Sequence, residues 1–154
     1  MHNGHISADD PRAADVRRLL EHHLEFCRST TPPEDVHALD LDELLDPAVT
    51  FVSYRRDGEV LAVGALKQLN ATHAELKSMH TARAARGQGI GRAMVDYLVG
   101  LAQDRGLHRV SLETGSTAEF AAARSLYARA GFTDTGPFGD YLPSPNSTFM
   151  TLKL

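Results

Sequence analysis

Side chains recur at helical spacing in two long stretches of the chain, and strand-like patterns occupy the region between them. Val16, Leu19, Leu20, His23, Leu24 and Cys27 fall on one stripe of a helix over residues 11–28, with Asp10 as N-cap and Pro11 in the first helical position. The run Ser29-Thr30-Thr31-Pro32-Pro33 stops it, and a short second helix over 40–45 ends before Pro47. From Val49 the pattern becomes strand-like. Residues 49–54 and 59–67 form a hairpin whose turn carries Asp57-Gly58, a pair suited to positive φ. A third strand over 73–81 continues an antiparallel meander and runs into a glycine-rich segment. Ile90, Met94, Leu98 and Leu101 then mark a helix over 89–105, ended by Gly106.

A strand over 109–113 follows and makes a βαβ unit, whose two strands are expected to be parallel. A helix over 118–130 closes on Gly131 at its C′ position, and short strands are expected at 132–135 and 148–152. This order implies an α/β protein of mixed α+β layers, not a doubly wound parallel sheet. No repeat, low-complexity stretch or linker interrupts residues 1–154, so one domain is expected.

Composition changes this picture little: 154 residues, 42% hydrophobic and 23% charged, describe an ordinary globular chain. No apolar run approaches a bilayer span, the polar start is unlike a signal peptide, and Cys27 is alone; a cytoplasmic location without membrane association is the expectation. Cys27 lies on the apolar stripe and reads as a buried, inert thiol. Charge is more informative. Residues 1–60 carry 13 acidic and 6 basic side chains, net −7, and residues 61–154 carry 7 acidic and 10 basic, net +3. The cationic half suits an anionic ligand, and an acidic chain with no basic cluster argues against nucleic acid as partner. The acidic group Glu34, Asp35, Asp40, Asp42, Glu43 and Asp46 either attracts a cation or is a solvated face. The eight histidines do not form a metal pattern: His22 and His23 diverge on a helix, no cysteine pattern accompanies them, and no metal is expected.

The segment Arg86-Gly87-Gln88-Gly89-Ile90-Gly91 lies between a strand and a helix. Its glycines permit sharp bending and close approach, and the helix after it offers unpaired N–H groups to an anion. The spacing fits neither G-x-G-x-x-G nor a P-loop. Arg86-x-x-Gly89-x-Gly91 resembles instead the acetyl-CoA pyrophosphate loop of the GCN5-related N-acetyltransferase (GNAT) superfamily. Leu126-Tyr127, followed by Gly131-Phe132, resembles the Leu-Tyr-x-x-x-Gly-Phe signature of the last main helix in that family. Glu75–Met79, Leu112–Gly115, Asp140-Tyr141 and Phe149-Met150 also look like a small bacterial subgroup. The resemblance implies a mostly antiparallel mixed sheet with a central parallel βαβ unit and helices on both faces.

It also implies acetyl transfer from acetyl-CoA, as cosubstrate, to the amine of a small molecule or peptide by direct attack in a ternary complex. Backbone N–H groups of Gln88, Gly89, Gly91 and Arg92 would hold pyrophosphate, with Gly87 and Ile90 in the loop and Arg86 bracing it; Met79, His80 and Thr81 would offer backbone partners to the pantetheine arm. Tyr127, at the family's tyrosine position, is the candidate acid for the departing thiolate, its alternative being simple packing. Glu75, eleven residues before Arg86, is the first candidate base, although strand periodicity puts it beside Lys77, where an ion pair would keep it acidic. Glu113 is a substitute or a holder of water, and His80 a third possibility. Phe138, Asp140 and Tyr141 in the late loop are candidate acceptor contacts, along with the helical region 20–45. Two departures stand out: Thr81-Ala82-Arg83 lacks a common proline, and Phe120 replaces an asparagine that often contacts the CoA arm. A catalytically silent acyl-CoA-binding sensor is the competing reading, and a homodimer is common among similar proteins.

Overall fold

The structure, a computed structural model, describes residues 4–30 and 41–154. Seven strands form one sheet: β1 (Gly4–Ala8), β2 (Val49–Arg56), β3 (Glu59–Gln68), β4 (His73–Thr81), β5 (Arg109–Gly115), β6 (Thr133–Thr135) and β7 (Ser147–Lys153), in the order β1-β2-β3-β4-β5-β7-β6. Only β4 and β5 run parallel, joined by the helix α3 (Ile90–Asp104). Alternation along the strands separates two cores. Leu66, Leu76, Val110 and Leu112 pack with Met94, Val95 and Leu98 of α3 and Tyr127 of α4 (Ala121–Arg129) on one face. Phe51, Val63 and Ala65 pack with Val16, Leu19 and Leu20 of α1 (Ala14–Thr30) and Leu44 of α2 (Leu41–Leu44) on the other. Helices therefore cover both faces, and the mixed layer architecture is the one expected. No helix among the described residues is long and apolar enough to cross a membrane.

The hairpin turns on Asp57 (φ 52°) and Gly58 (φ 81°), both left-handed as the Asp-Gly pair requires. Three boundaries differ from the sequence-based layout. The strand β1 was not expected: it has one apolar side chain inward, Ile6, and is held by backbone pairing to β2 from Gly4↔Arg56 to Ala8↔Val52. Its end is fastened by Asp9, which accepts hydrogen bonds from Ser53 Oγ and, at 3.0 Å, from Arg55 Nε, while Arg55 also reaches Asp15 of α1 at 2.7 Å. The first helix opens at Ala14, not at Pro11, because Asp10 turns the chain on itself: its carboxylate accepts from the Arg12 N–H at 2.9 Å and its carbonyl from the Ala13 N–H at 3.0 Å. A 3₁₀ turn over Ala118–Phe120 occupies the start of the expected last helix. Residues 31–33 of the helix stop, residue 40 of the second helix, the acidic side chains Glu34, Asp35 and Asp40, and the stretch 31–40 of the expected acceptor region lie outside the described residues.

Candidate active site

The parallel pair is incomplete, and that opens the sheet. β4 and β5 are in register only from His73↔Arg109 to Leu76↔Leu112, although β4 continues to Thr81 and β5 to Gly115. Beyond Leu76 each strand stays paired on its outer side, β4 with β3 as far as Thr81↔Ala62 and β5 with β7 as far as Gly115↔Ser147. The gap between them is therefore flanked by two supported strand edges. Around it lies a cleft of about 650 Å³.

A bulge in β4 decides what faces this cleft. Ala65 pairs with Lys77 and Val63 with His80, so Ser78 and Met79 together oppose Gly64, and Ser78 takes a left-handed φ of 55°. The extra residue resets the alternation. Leu76 and Met79 both pack toward α3, while Glu75, Lys77 and His80 share the α1 face. An unbulged strand would have turned His80 to the opposite side.

At the end of β4 the glycine segment curves into α3. Gly87 and Gly89 hold φ of 78° and 80°, and a Cβ placed on either would meet no atom within 4 Å, so conformation and not crowding favours glycine at both positions. Gly91 is helical; a Cβ there would sit 3.5 Å from Leu126, in ordinary contact. Arg86 braces the loop by donating from Nε to the Thr81 carbonyl at 3.3 Å. The Gln88 side chain turns away from the cleft and accepts from Arg56 at 3.0 Å.

On the α1 face, Glu75 is almost fully buried, and its Oε2 accepts a hydrogen bond from the Tyr141 hydroxyl at 2.5 Å, with Lys77 Nζ at 3.4 Å. Lys77 also donates to the Tyr141 oxygen at 2.6 Å. Burial first, and then the neighbouring Glu75 carboxylate, push the Tyr141 phenol upward, so it stays protonated and donates. The expected Glu75–Lys77 pair is thus present, with Tyr141 as a third member that periodicity did not reveal. Glu113, on the same face of β5 as Ser111, also lines the cleft.

His80 meets His23 of α1, their Nδ1 atoms 3.2 Å apart. Burial lowers His23 to about 4; burial, with His23, Arg86 and His22 nearby, lowers His80 to about 3. Both rings are neutral near pH 7, one donating to the other, which makes His80 a poor proton acceptor. Cys27, on the same helix, is pushed up to about 11 by burial and by Glu113, as an inert thiol should be. Among the described residues no group of three or more His, Cys, Asp or Glu side chains is arranged to hold a metal ion.

Tyr127 reaches the cleft from α4, on the opposite face of the sheet from Glu75. Its ring packs edge-on against Phe132, and burial raises its phenol, so it carries its proton at neutral pH. The cleft therefore brings together Glu75, Met79, His80, Thr81, Arg86, Gly87, Gly89, Ile90, Gly91, Arg92, Glu113, Tyr127 and Tyr141. It leaves out Gln88, Phe138 and Asp140. Phe138 instead packs edge-on against Tyr141 and Phe149 and at a tilt against His73, and Asp140 is exposed. His23, Phe26, Ser78 and Asn146 also line the cleft; they lie in segments that the sequence pointed to as an acceptor region, but no sequence signal singled them out. Phe120 fills the space over Gly115, where a Cβ would lie 2.1 Å from its ring, and it packs edge-on against Phe26 with centroids 5.2 Å apart. That position now offers apolar surface where an asparagine would offer hydrogen bonds.

These features have close counterparts in known proteins. Residues 15–132 match the sequence model of the acetyltransferase (GNAT) family. The chain is 42% identical to an uncharacterized N-acetyltransferase, YsnE, of Bacillus subtilis over 97% of its length and 99% of that protein's. It is 36% identical to a protein of Azospirillum brasilense named IAA acetyltransferase, over the full length of both. Its fold superposes with a TM-score of 0.83 on the crystal structure of a Klebsiella pneumoniae protein described as an acyl-CoA N-acyltransferase, at 29% identity and covering 98% of this chain and 97% of that one. The chain belongs to the acetyltransferase (GNAT) family and is an acyltransferase.

Proposed function

We propose that this enzyme transfers the acetyl group of acetyl-CoA to a primary amine of a small molecule or peptide, by direct attack within a ternary complex. The observation that carries this reading is the supported gap between β4 and β5, with a glycine loop at one end and Glu75 and Tyr127 reaching it from opposite faces of the sheet. The residues present suit the donor that the family uses. The N–H groups around Gly87, Gly89 and the start of α3 suit a pyrophosphate, and the free edge of β4 over 79–81 suits the amides of a pantetheine arm.

When bound, acetyl-CoA supplies an activated acyl carbon whose C–S bond breaks as the amine forms its C–N bond. The chain's own groups handle the rest. Glu75 and Glu113 draw an ammonium into the cleft, and Glu75, or Glu113 in its stead, takes its proton, directly or through water. Tyr141 and Lys77 hold the Glu75 carboxylate in one orientation. Tyr127, protonated, donates to the thiolate that leaves with the electron pair. Phe26 and Phe120 form an apolar wall that excludes water.

The test is a thiol-release assay with acetyl-CoA and a panel of polyamines, amino acids, aminoglycosides, peptide N-termini and IAA, the last from the name of the Azospirillum brasilense relative. Release with at least one amine supports the reading. Tight CoA binding without release across the panel would point to the acyl-CoA sensor instead, and no binding of CoA would overturn both.

A further inference from the structure

On its α1 side the cleft sets aromatic surface beside carboxylates. Alternation along β5 sends Ser111, Glu113 and Gly115 to the α1 face, which is also the face of Glu75. A Cβ on Gly115 would lie 2.1 Å from the Phe120 ring, so that ring rests on this same face. It stands two residues, about 7 Å of strand, beyond Glu113. Phe26 meets it edge-on from α1, with ring centroids 5.2 Å apart, and shares its helix face with His23 and Cys27, three residues before it and one after. Both rings line the cleft and both keep part of their surface exposed.

Charge narrows what can sit there. Glu113 is part-exposed and acts on both the Cys27 thiol and the Tyr141 phenol, which puts it between α1 and the late loop. His23 and His80 are neutral near pH 7, and Cys27 keeps its proton. Among the described residues that line the cleft on this face the cation is Lys77, and it is engaged by Glu75 and Tyr141. An ammonium is therefore matched here, whereas a carboxylate on the same molecule is not. Glu119 also lines the cleft, but it is exposed, where water and salt screen it. Beyond the nitrogen, an acceptor lying along β5 meets aromatic carbon.

We propose that the acceptor is a primary amine without a carboxylate, joined through a short carbon linker to an apolar ring, with its ammonium at Glu113 and Glu75 and its ring against Phe26 and Phe120; the inference rests on the acetyl-transfer reading above. Removing such a ring from water against two aromatic side chains favours binding, and edge-on contacts give it a preferred orientation. The spacing between Glu113 and the Phe120 ring sets the length of the linker. Once a carboxylate has taken the proton, the nitrogen bonds to the acyl carbon, the C–S bond breaks and the electron pair leaves on sulfur. Phe26 and Phe120 make and break no bond in this step; they decide which amine is held for it.

Thiol release from acetyl-CoA by the wild-type enzyme is compared for ethylamine, phenethylamine, phenylalanine and spermidine. The kcat/KM for phenethylamine should exceed each of the others by roughly tenfold or more, the scale of burying an apolar group in a matched pocket. Phe26→Ala and Phe120→Ala each delete one ring. In either, the ratio of kcat/KM for phenethylamine to that for ethylamine should fall by about tenfold, whereas a purely structural loss lowers both amines together and leaves the ratio unchanged. The contact is also read without turnover, by calorimetric titration of the two amines into enzyme saturated with CoA, where phenethylamine should bind roughly tenfold tighter than ethylamine. Failure of CoA to bind wild type, or no release with any amine, would overturn the acetyl-transfer reading and this inference with it. Release fastest with ethylamine, phenylalanine or spermidine, or a ratio unchanged in both variants, would overturn this inference alone.

Discussion

Tyr127 and Glu75 enter the cleft from opposite faces of the sheet, so each can be altered without disturbing the other's surroundings. Tyr127→Phe keeps the ring against Phe132 and deletes only the hydroxyl; kcat is expected to fall about tenfold to a hundredfold, with acetyl-CoA affinity by calorimetry nearly unchanged. Full turnover in this variant would leave Tyr127 as a packing residue. Glu75→Gln is expected to lower kcat/KM by roughly a hundredfold and to flatten the acid limb of the pH–rate profile, and a persisting limb would shift the base to Glu113 or solvent. Both residues were singled out by position, Tyr127 from its spacing to Gly131-Phe132 and Glu75 from its distance to the glycine loop, and both line the cleft. The bond from the Tyr141 hydroxyl to Glu75 was not legible in this way, because 66 residues separate the two and no local rhythm relates a loop to a strand interior.

At the level of elements, the strands and helices that pack an apolar stripe were readable, and β1, which packs little of one, was missed. β4 spans His73–Thr81 as expected, and α3 begins after Gly89 because its stripe of Ile90, Met94 and Leu98 has a core to face. β1 has little apolar signal; its stability comes from pairing with β2 and from the Asp9–Ser53–Arg55 contacts, which sequence periodicity does not record. The glycine loop yields a prediction at this scale. Gly89→Ala places a Cβ on a left-handed residue at the N-cap of α3, in open space, so the cost is conformational and not a clash. It should remove about 1 kcal/mol of stability by denaturant titration. The displaced N–H groups should raise KM for acetyl-CoA about tenfold, the scale of one lost hydrogen bond to a charged group. An unchanged KM would separate this loop from the donor.

For the whole molecule, the contact between α1 and β4 makes stability sensitive to acid. His23 and His80 face each other across that contact, with His22 and Arg86 close by, and their folded values of about 4 and about 3 lie below the ordinary 6.5. The unfolded chain therefore binds more protons than the folded one below pH 6.5, and stability falls as pH drops from there toward 4. Between pH 7 and 5 the loss should be about 2 kcal/mol for each histidine, measured by urea unfolding at the two pH values, and His80→Asn should reduce it; a pH-independent stability would contradict the burial of the pair. By itself the sequence determined the order of most elements, the glycine loop and the tyrosine signature, because apolar periodicity and turn chemistry act over a few residues at a time. Tertiary structure alone decided where β4 and β5 part, which side chains the Ser78 bulge turns toward α1, and that Tyr141 joins Glu75 and Lys77 while Phe138 packs against Tyr141. Strand register and long-range side-chain contacts depend on packing between segments far apart in the chain, and local patterning carries no record of it.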